Sequence, residues 1–129
     1  MSDKYTLKQL TDVKDAAPAF GYNELQEARF ATKDLNAEET GVSHHIVKPG
    51  KRQGFAHKHD EAEEVYVVIA GSGRMKLDAE IIEIGRLDAI RVAPDVTRTF
   101  EAGPDGLELL AVGARHDGDG EADPNWWVE

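Results

Sequence analysis

Two histidines and a glutamate in this chain are spaced as metal donors are spaced. In the run from Pro49 to Tyr66, His57 and His59 stand either side of Lys58, and Glu64 follows after four intervening residues. On a β-strand, residues i and i+2 project from the same face, so the two imidazoles point together. A turn over residues 60–63 lets Glu64 open the next strand and face them. Two imidazoles and one carboxylate on a single wall form the facial triad favoured by non-haem iron, and manganese, nickel and zinc occupy sites of the same kind. Tyr66 shares parity with Glu64 and brings a hydroxyl to that wall. Glu63 competes with Glu64 for the carboxylate role. The chain has no cysteine, so any metal must be held by nitrogen and oxygen, and disulfides, thiolate sites and cysteine nucleophiles are excluded.

The elements that must position these side chains are short strands. Val42–Lys48, Ala56–His59, Val65–Ala70, Arg74–Leu77, Glu80–Ile84, Ala89–Ala93, Arg98–Ala102 and Leu107–Val112 are brief runs divided by Gly, Pro or Asp. Strands at this spacing predict an all-β sandwich or barrel. A tight turn at Asp78-Ala79 joins two of them as a hairpin, and Pro104-Asp105-Gly106 marks a turn between two others. The run Val65–Ala70 is apolar on both faces, which implies cover on both sides. One side is the barrel interior, and a second copy of the chain in a homodimer is the expected cover of the other.

Before this β-rich middle, residues 1–40 read as a mixed, helix-friendly extension. Leu7, Leu10 and Val13 recur at helical spacing, Pro18 and Gly21 end that segment, and residues 36–39 predict one more helical turn. Residues 114–129 form an acidic, glycine-rich tail that is expected to lack regular structure. Trp126 and Trp127 predict that it docks back on the barrel. Three zones follow: an N-terminal extension over 1–40, a barrel over 41–113 and a docked tail over 114–129.

The 129 residues suffice for one domain with a real core, and the formal net charge of −10 lacks the basic stripe that nucleic acid or an anionic membrane would require. There is no apolar signal-like segment and no stretch of membrane-spanning length, so the expected location is cytoplasmic.

From Gly50 to Gly71 the sequence resembles the first motif of the cupin superfamily: a glycine, a short gap, His-x-His, three or four residues, Glu, six residues, Gly. The gap from Gly50 to His57 is one residue longer than the pattern, and the remainder matches. The second motif aligns with Leu87–Ala102, where Asp88 survives and Pro94 lies one place late. The resemblance covers about residues 42–113. It implies a cupin-type double-stranded β-barrel, or jelly roll, carrying a short, partly helical N-terminal extension.

Metal-binding cupins commonly take a fourth ligand from the second-motif histidine, and that position here is Arg98. A guanidinium stays protonated and has no lone pair for a metal, so Arg98 is not a ligand. By strand alternation it shares a face with Phe100 and Ala102, which the alignment turns inward beside the triad. Two outcomes remain open: Arg98 pairs with Glu64 and leaves a polar, metal-free pocket, or His57, His59 and Glu64 hold Fe, Mn, Ni or Zn while Arg98, with Tyr66, receives a substrate carboxylate. Three functions follow from the resemblance: a cupin that binds a small acidic molecule through Arg98 with His57, His59 and Glu64 lining the site, with or without catalysis; a transition-metal-dependent dioxygenase or isomerase in which Arg98 orients the substrate carboxylate; and a structural or assembly domain whose pocket is vestigial. His44 and His45 are adjacent and point to opposite faces, so structural roles are expected for both, and His116 is expected to be solvated.

Overall fold

The computed structural model describes residues 4–59 and 62–114, together with the backbone of residues 120–123. Eight strands are formed: β1 (Gln26–Phe30), β2 (Thr40–Val47), β3 (Ala56–His59), β4 (Glu64–Leu77), β5 (Glu80–Gly85), β6 (Ala89–Val92), β7 (Arg98–Ala114) and β8 (Gly120–Asp123). All pairings are antiparallel. One layer runs β1-β2-β7-β4-β6 and the other β5-β4-β7-β3-β8, so the two longest strands belong to both layers. This is the expected all-β, double-stranded barrel.

The two shared strands bend together where they cross between layers. Gly71 pairs with Leu107 and Gly73 with Ala102, so a single residue of β4 opposes the whole segment 103–106 of β7. The bend requires glycine for two separate reasons. Gly71 has φ +77, a conformation costly for other residues, and a Cβ there would lie 2.0 Å from the carbonyl oxygen of Gly106; a Cβ on Gly73 would lie 2.1 Å from the carbonyl oxygen of Glu101. The Pro104–Gly106 turn expected from sequence is therefore a corner inside one continuous strand. Its chemistry was read correctly, but the flanking runs lie in different layers. The hairpin at Asp78-Ala79 forms as expected, with Leu77 opposite Glu80 and Asp78 at φ 51.

Alternation along these strands builds the core. Tyr66 and Val68 of β4, Phe100, Ala102, Leu107, Leu109 and Ala111 of β7, and Val47, Met75, Ile84 and Val92 form one buried cluster. Fully burying each large member contributes about 1.5–3 kcal/mol. On the opposite face of β4, Val65, Val67 and Ile69 are half-buried within the chain itself.

The first 40 residues depart from expectation. Helical content among the described residues is limited to short 3-10 turns at Leu10–Asp12 and Ala17–Phe20, and residues 32–36 form turns. Gln26–Phe30 is a strand, although its composition suits a helix, because it pairs residue for residue with β2 from Gln26↔Val47 to Phe30↔Ser43. Tertiary pairing here overrides local propensity. The Asp15 carboxylate accepts hydrogen bonds from the backbone N–H groups of Ala17 (3.0 Å) and Ala28 (2.9 Å), fixing the second turn to this strand.

In the tail, residues 120–123 pair with β3 as a strand where no regular structure was expected. The expected docking of Trp126 and Trp127, and the reading of His116, lie outside the described residues. Among the described residues, no helix is long and apolar enough to cross a membrane.

Candidate metal centre

The wall predicted to carry the chemistry is assembled from three strands. β3 supplies His57 and His59, the start of β4 supplies Glu64 and Tyr66, and β7 supplies Arg98, whose backbone is paired with that of His57. Each of the five residues singled out from sequence is brought to this one place. The His57, His59 and Glu64 donor atoms all lie within 4.8 Å of one another.

Glu64 Oε1 is the hub. His59 Nε2 lies 3.0 Å away and His57 Nε2 3.5 Å away. The Tyr66 hydroxyl donates to the same oxygen at 2.7 Å, and Arg98 Nη2 donates to it at 3.0 Å. Burial alone would raise the Glu64 pKa, but hydrogen bonds from His57, His59 and Tyr66 outweigh it and hold the carboxyl far below the usual range. Burial lowers the His57 pKa, with Glu64 opposing and the charges of Arg98 and His59 adding to the fall. Burial, reinforced by the Glu64 charge, raises the pKa of Tyr66. At neutral pH the cluster thus comprises an ionised carboxylate, a neutral His57 and a protonated phenol. A carboxylate and an imidazole with an available lone pair are in the states a divalent ion requires of its ligands, so the donor set fits a metal.

Arg98 is wholly buried behind Glu64 and Tyr66. Its Nε donates to the Tyr66 hydroxyl at 3.2 Å, and its Nη1 donates to the carbonyls of Pro94 (3.2 Å) and Val96 (2.7 Å). The inward orientation expected from alternation is present, and so is the ion pair with Glu64.

The triad opens on a cavity of about 640 Å³. Its walls include Phe20, Phe30, Phe55, Ala28, Ala111, Gln26, Gln53, Ser43 and His45, besides His57, His59, Glu64 and Tyr66; Arg98 is not part of the lining. A ligand entering from the cavity meets the imidazoles before the guanidinium. His45, for which a structural role was expected, also lines this wall. Its Nε2 shares a 2.7 Å hydrogen bond with the Ser43 hydroxyl, and burial, aided by the nearby His57, lowers its pKa to about 4. The signal was available in the parity of Ser43, His45 and Val47. His44 faces the other way and pairs with Glu108 at 2.6 Å, and the competing Glu63 is exposed and pairs with Arg91 at 3.1 Å.

No protein-family model matches the chain, and a search of curated proteins finds no match. Solved structures do match over nearly its whole length. A cupin protein from Bacteroides fragilis superposes with a TM-score of 0.71 at 22% identity, covering 100% of this chain and 99% of that one. The polyketide cyclase RemF from Streptomyces resistomycificus gives 0.72 at 21% identity, covering 96% of this chain and 87% of that one. Oxalate decarboxylase from Bacillus subtilis gives 0.70 at 21% identity, with 90% of this chain aligned to 32% of that longer one.

The chain has the cupin fold. Within that fold, the first-motif residues His57, His59 and Glu64 converge, while the second-motif position holds a buried cation that braces the carboxylate from behind. Solved structures with this fold include enzymes, and likeness of fold does not by itself assign an activity.

Proposed function

We propose that this cupin holds one divalent transition-metal ion through Nε2 of His57, Nε2 of His59 and the Glu64 carboxylate, and uses that centre to bind a small acidic molecule in the barrel cavity. The observation that carries the reading is the convergence of these three donors at the polar end of a large cavity. Arg98 pairs with Glu64 and aims its carboxylate, and Tyr66 fixes the same oxygen. The charges of Glu64 and Arg98 cancel, so a divalent ion leaves the centre net positive. At about 4 Å and an effective dielectric near 20, each opposite unit pair contributes roughly 4 kcal/mol, which favours an anionic oxygen on the cavity side. A bound ion would act there as a Lewis acid towards a ligand oxygen.

The test is metal content. Untagged protein purified without chelator should carry about one equivalent of Fe, Mn, Ni or Zn, and His57→Ala should lose it. Substoichiometric metal in the parent chain, unchanged after incubation with each of the four ions, refutes the centre. A second reading, a metal-dependent dioxygenase or isomerase, is favoured by one further feature: three protein donors leave coordination positions facing a cavity large enough for a substrate. Turnover by the loaded protein, abolished in Glu64→Gln, separates it from simple binding.

For the outer face of β4, a second copy of the chain is the proposed cover of Val65, Val67 and Ile69. Light scattering should then give a mass above the single chain's 14.2 kDa; a monomeric mass would rule the dimer out.

A further inference from the structure

The apolar side of the cavity is as deliberately built as its polar end. Phe20 and Phe30 both line it, yet they remain 65% and 54% exposed at its rim. Exposed aromatic surface at a concave opening, fixed by the fold, is what a ligand would cover. From Phe20 an unbroken series of ring contacts leads inward: Phe20 to Tyr22 at 6.4 Å, Tyr22 to Phe55 at 5.7 Å, Phe55 to His57 at 6.0 Å and His57 to His59 at 5.3 Å. On the β1 and β2 side of the cavity, Phe30 meets His45 edge-on at 5.8 Å.

This series is held in place by backbone. The Tyr22 ring lies flat over Gly54, where a Cβ would come within 2.5 Å of it. Gly54 N–H in turn donates to the Gln26 side-chain oxygen at 2.7 Å, tying the strand leading into the triad to the N-terminal segment. The cavity volume of about 640 Å³ is in the range that encloses a drug-sized molecule, and a two- or three-carbon acid would leave these rings bare.

We propose that the cavity receives a planar aromatic molecule bearing an acidic oxygen at one edge, its rings against Phe20, Phe30 and Phe55 and its oxygen towards the triad. The placement of the oxygen rests on the metal-centre reading above, and the aromatic preference rests on the rings alone. Ring-on-ring contacts add to simple burial of area, so a planar ligand should outbind a saturated one of equal skeleton.

The experiment compares 2-naphthoate with decahydro-2-naphthoate by calorimetry on the full chain, with metal content measured on the same samples. The aromatic acid should bind at least about fivefold more tightly, and a variant carrying both Phe20→Ala and Phe30→Ala should bring the two acids to within about twofold. Because both residues are exposed, the variant is expected to fold, which circular dichroism verifies. Equal affinities in the parent chain, absence of binding by either acid at millimolar concentration, or a preference that survives in the double variant overturns the proposal. Metal-free protein that still prefers naphthalene to decalin supports the aromatic wall and removes only the metal centre. Metal-loaded protein that binds both acids equally removes the aromatic wall and leaves the centre standing.

Discussion

Replacing Arg98 by methionine tests the brace behind Glu64. Methionine preserves most of the buried stem but removes hydrogen bonds to Glu64, Tyr66 and the carbonyls of Pro94 and Val96. Breaking one side of a buried ion pair costs about 3–5 kcal/mol. Glu64 is 18% exposed and keeps its contacts with His59 and Tyr66, so the lower end applies, about 3 kcal/mol. For a chain of this size that corresponds to a fall in Tm of roughly 12 °C, read by thermal and urea melts in the presence of chelator. Adding a binding metal should recover part of the loss, because the ion then supplies the charge that Glu64 has lost. Should the methionine variant fail to fold, Arg98→Lys, which keeps the charge and loses the fork, is expected to lose about half as much. A shift below about 3 °C for methionine would show that the buried pair does not hold the site.

Two further outcomes follow from the site and its frame. His45 has its folded pKa depressed to about 4 from 6.5, so its contribution to stability is complete above pH 6.5 and is lost as pH falls towards 4. The loss is at most about 3 kcal/mol, less where water in the cavity solvates the imidazolium, and the pH dependence of stability from urea melts across that range should weaken in His45→Gln, leaving the part that the lowered pKa of His57 contributes. Glu64, depressed in the carboxylate range, adds its own loss below about pH 4.5. An unchanged profile in the glutamine variant would contradict the burial assigned to His45. Separately, Gly71→Ala sets a Cβ against the Gly106 carbonyl at a positive φ; it should cost more than about 2 kcal/mol, whereas a loss under 0.5 kcal/mol in denaturant titration would deny the corner its glycine requirement.

The residues that carry the chemistry were readable from sequence because they obey strand parity and fixed spacing. His57, His59, Glu64 and Tyr66 needed only alternation to be placed on one wall, and Arg98 followed from its place in the second motif together with the parity it shares with Phe100 and Ala102. What alternation does not encode is pairing across distant chain segments. Gln26–Phe30 looks helix-compatible in isolation and becomes a strand only because β2 presents a matching edge. Residues 120–123 are acidic and glycine-containing, yet they extend along β3. The cavity was hidden for the same reason: Phe20, Phe30, Phe55 and His45 meet only once those long-range pairings form. The direction of Arg98 could be deduced, but its engagement with the Pro94 and Val96 carbonyls depends on the local path before β7.

The passage of β4 and β7 through both layers limits how this molecule can breathe. Glu64 and Arg98 sit at the starts of those two strands, so loosening either layer would tear the centre apart together with the core. Ligand traffic cannot rely on the layers parting like the halves of a shell. It falls instead to the mouth of the cavity at Phe20 and Phe30, whose exposed rings leave a way in while both layers stay closed around the centre.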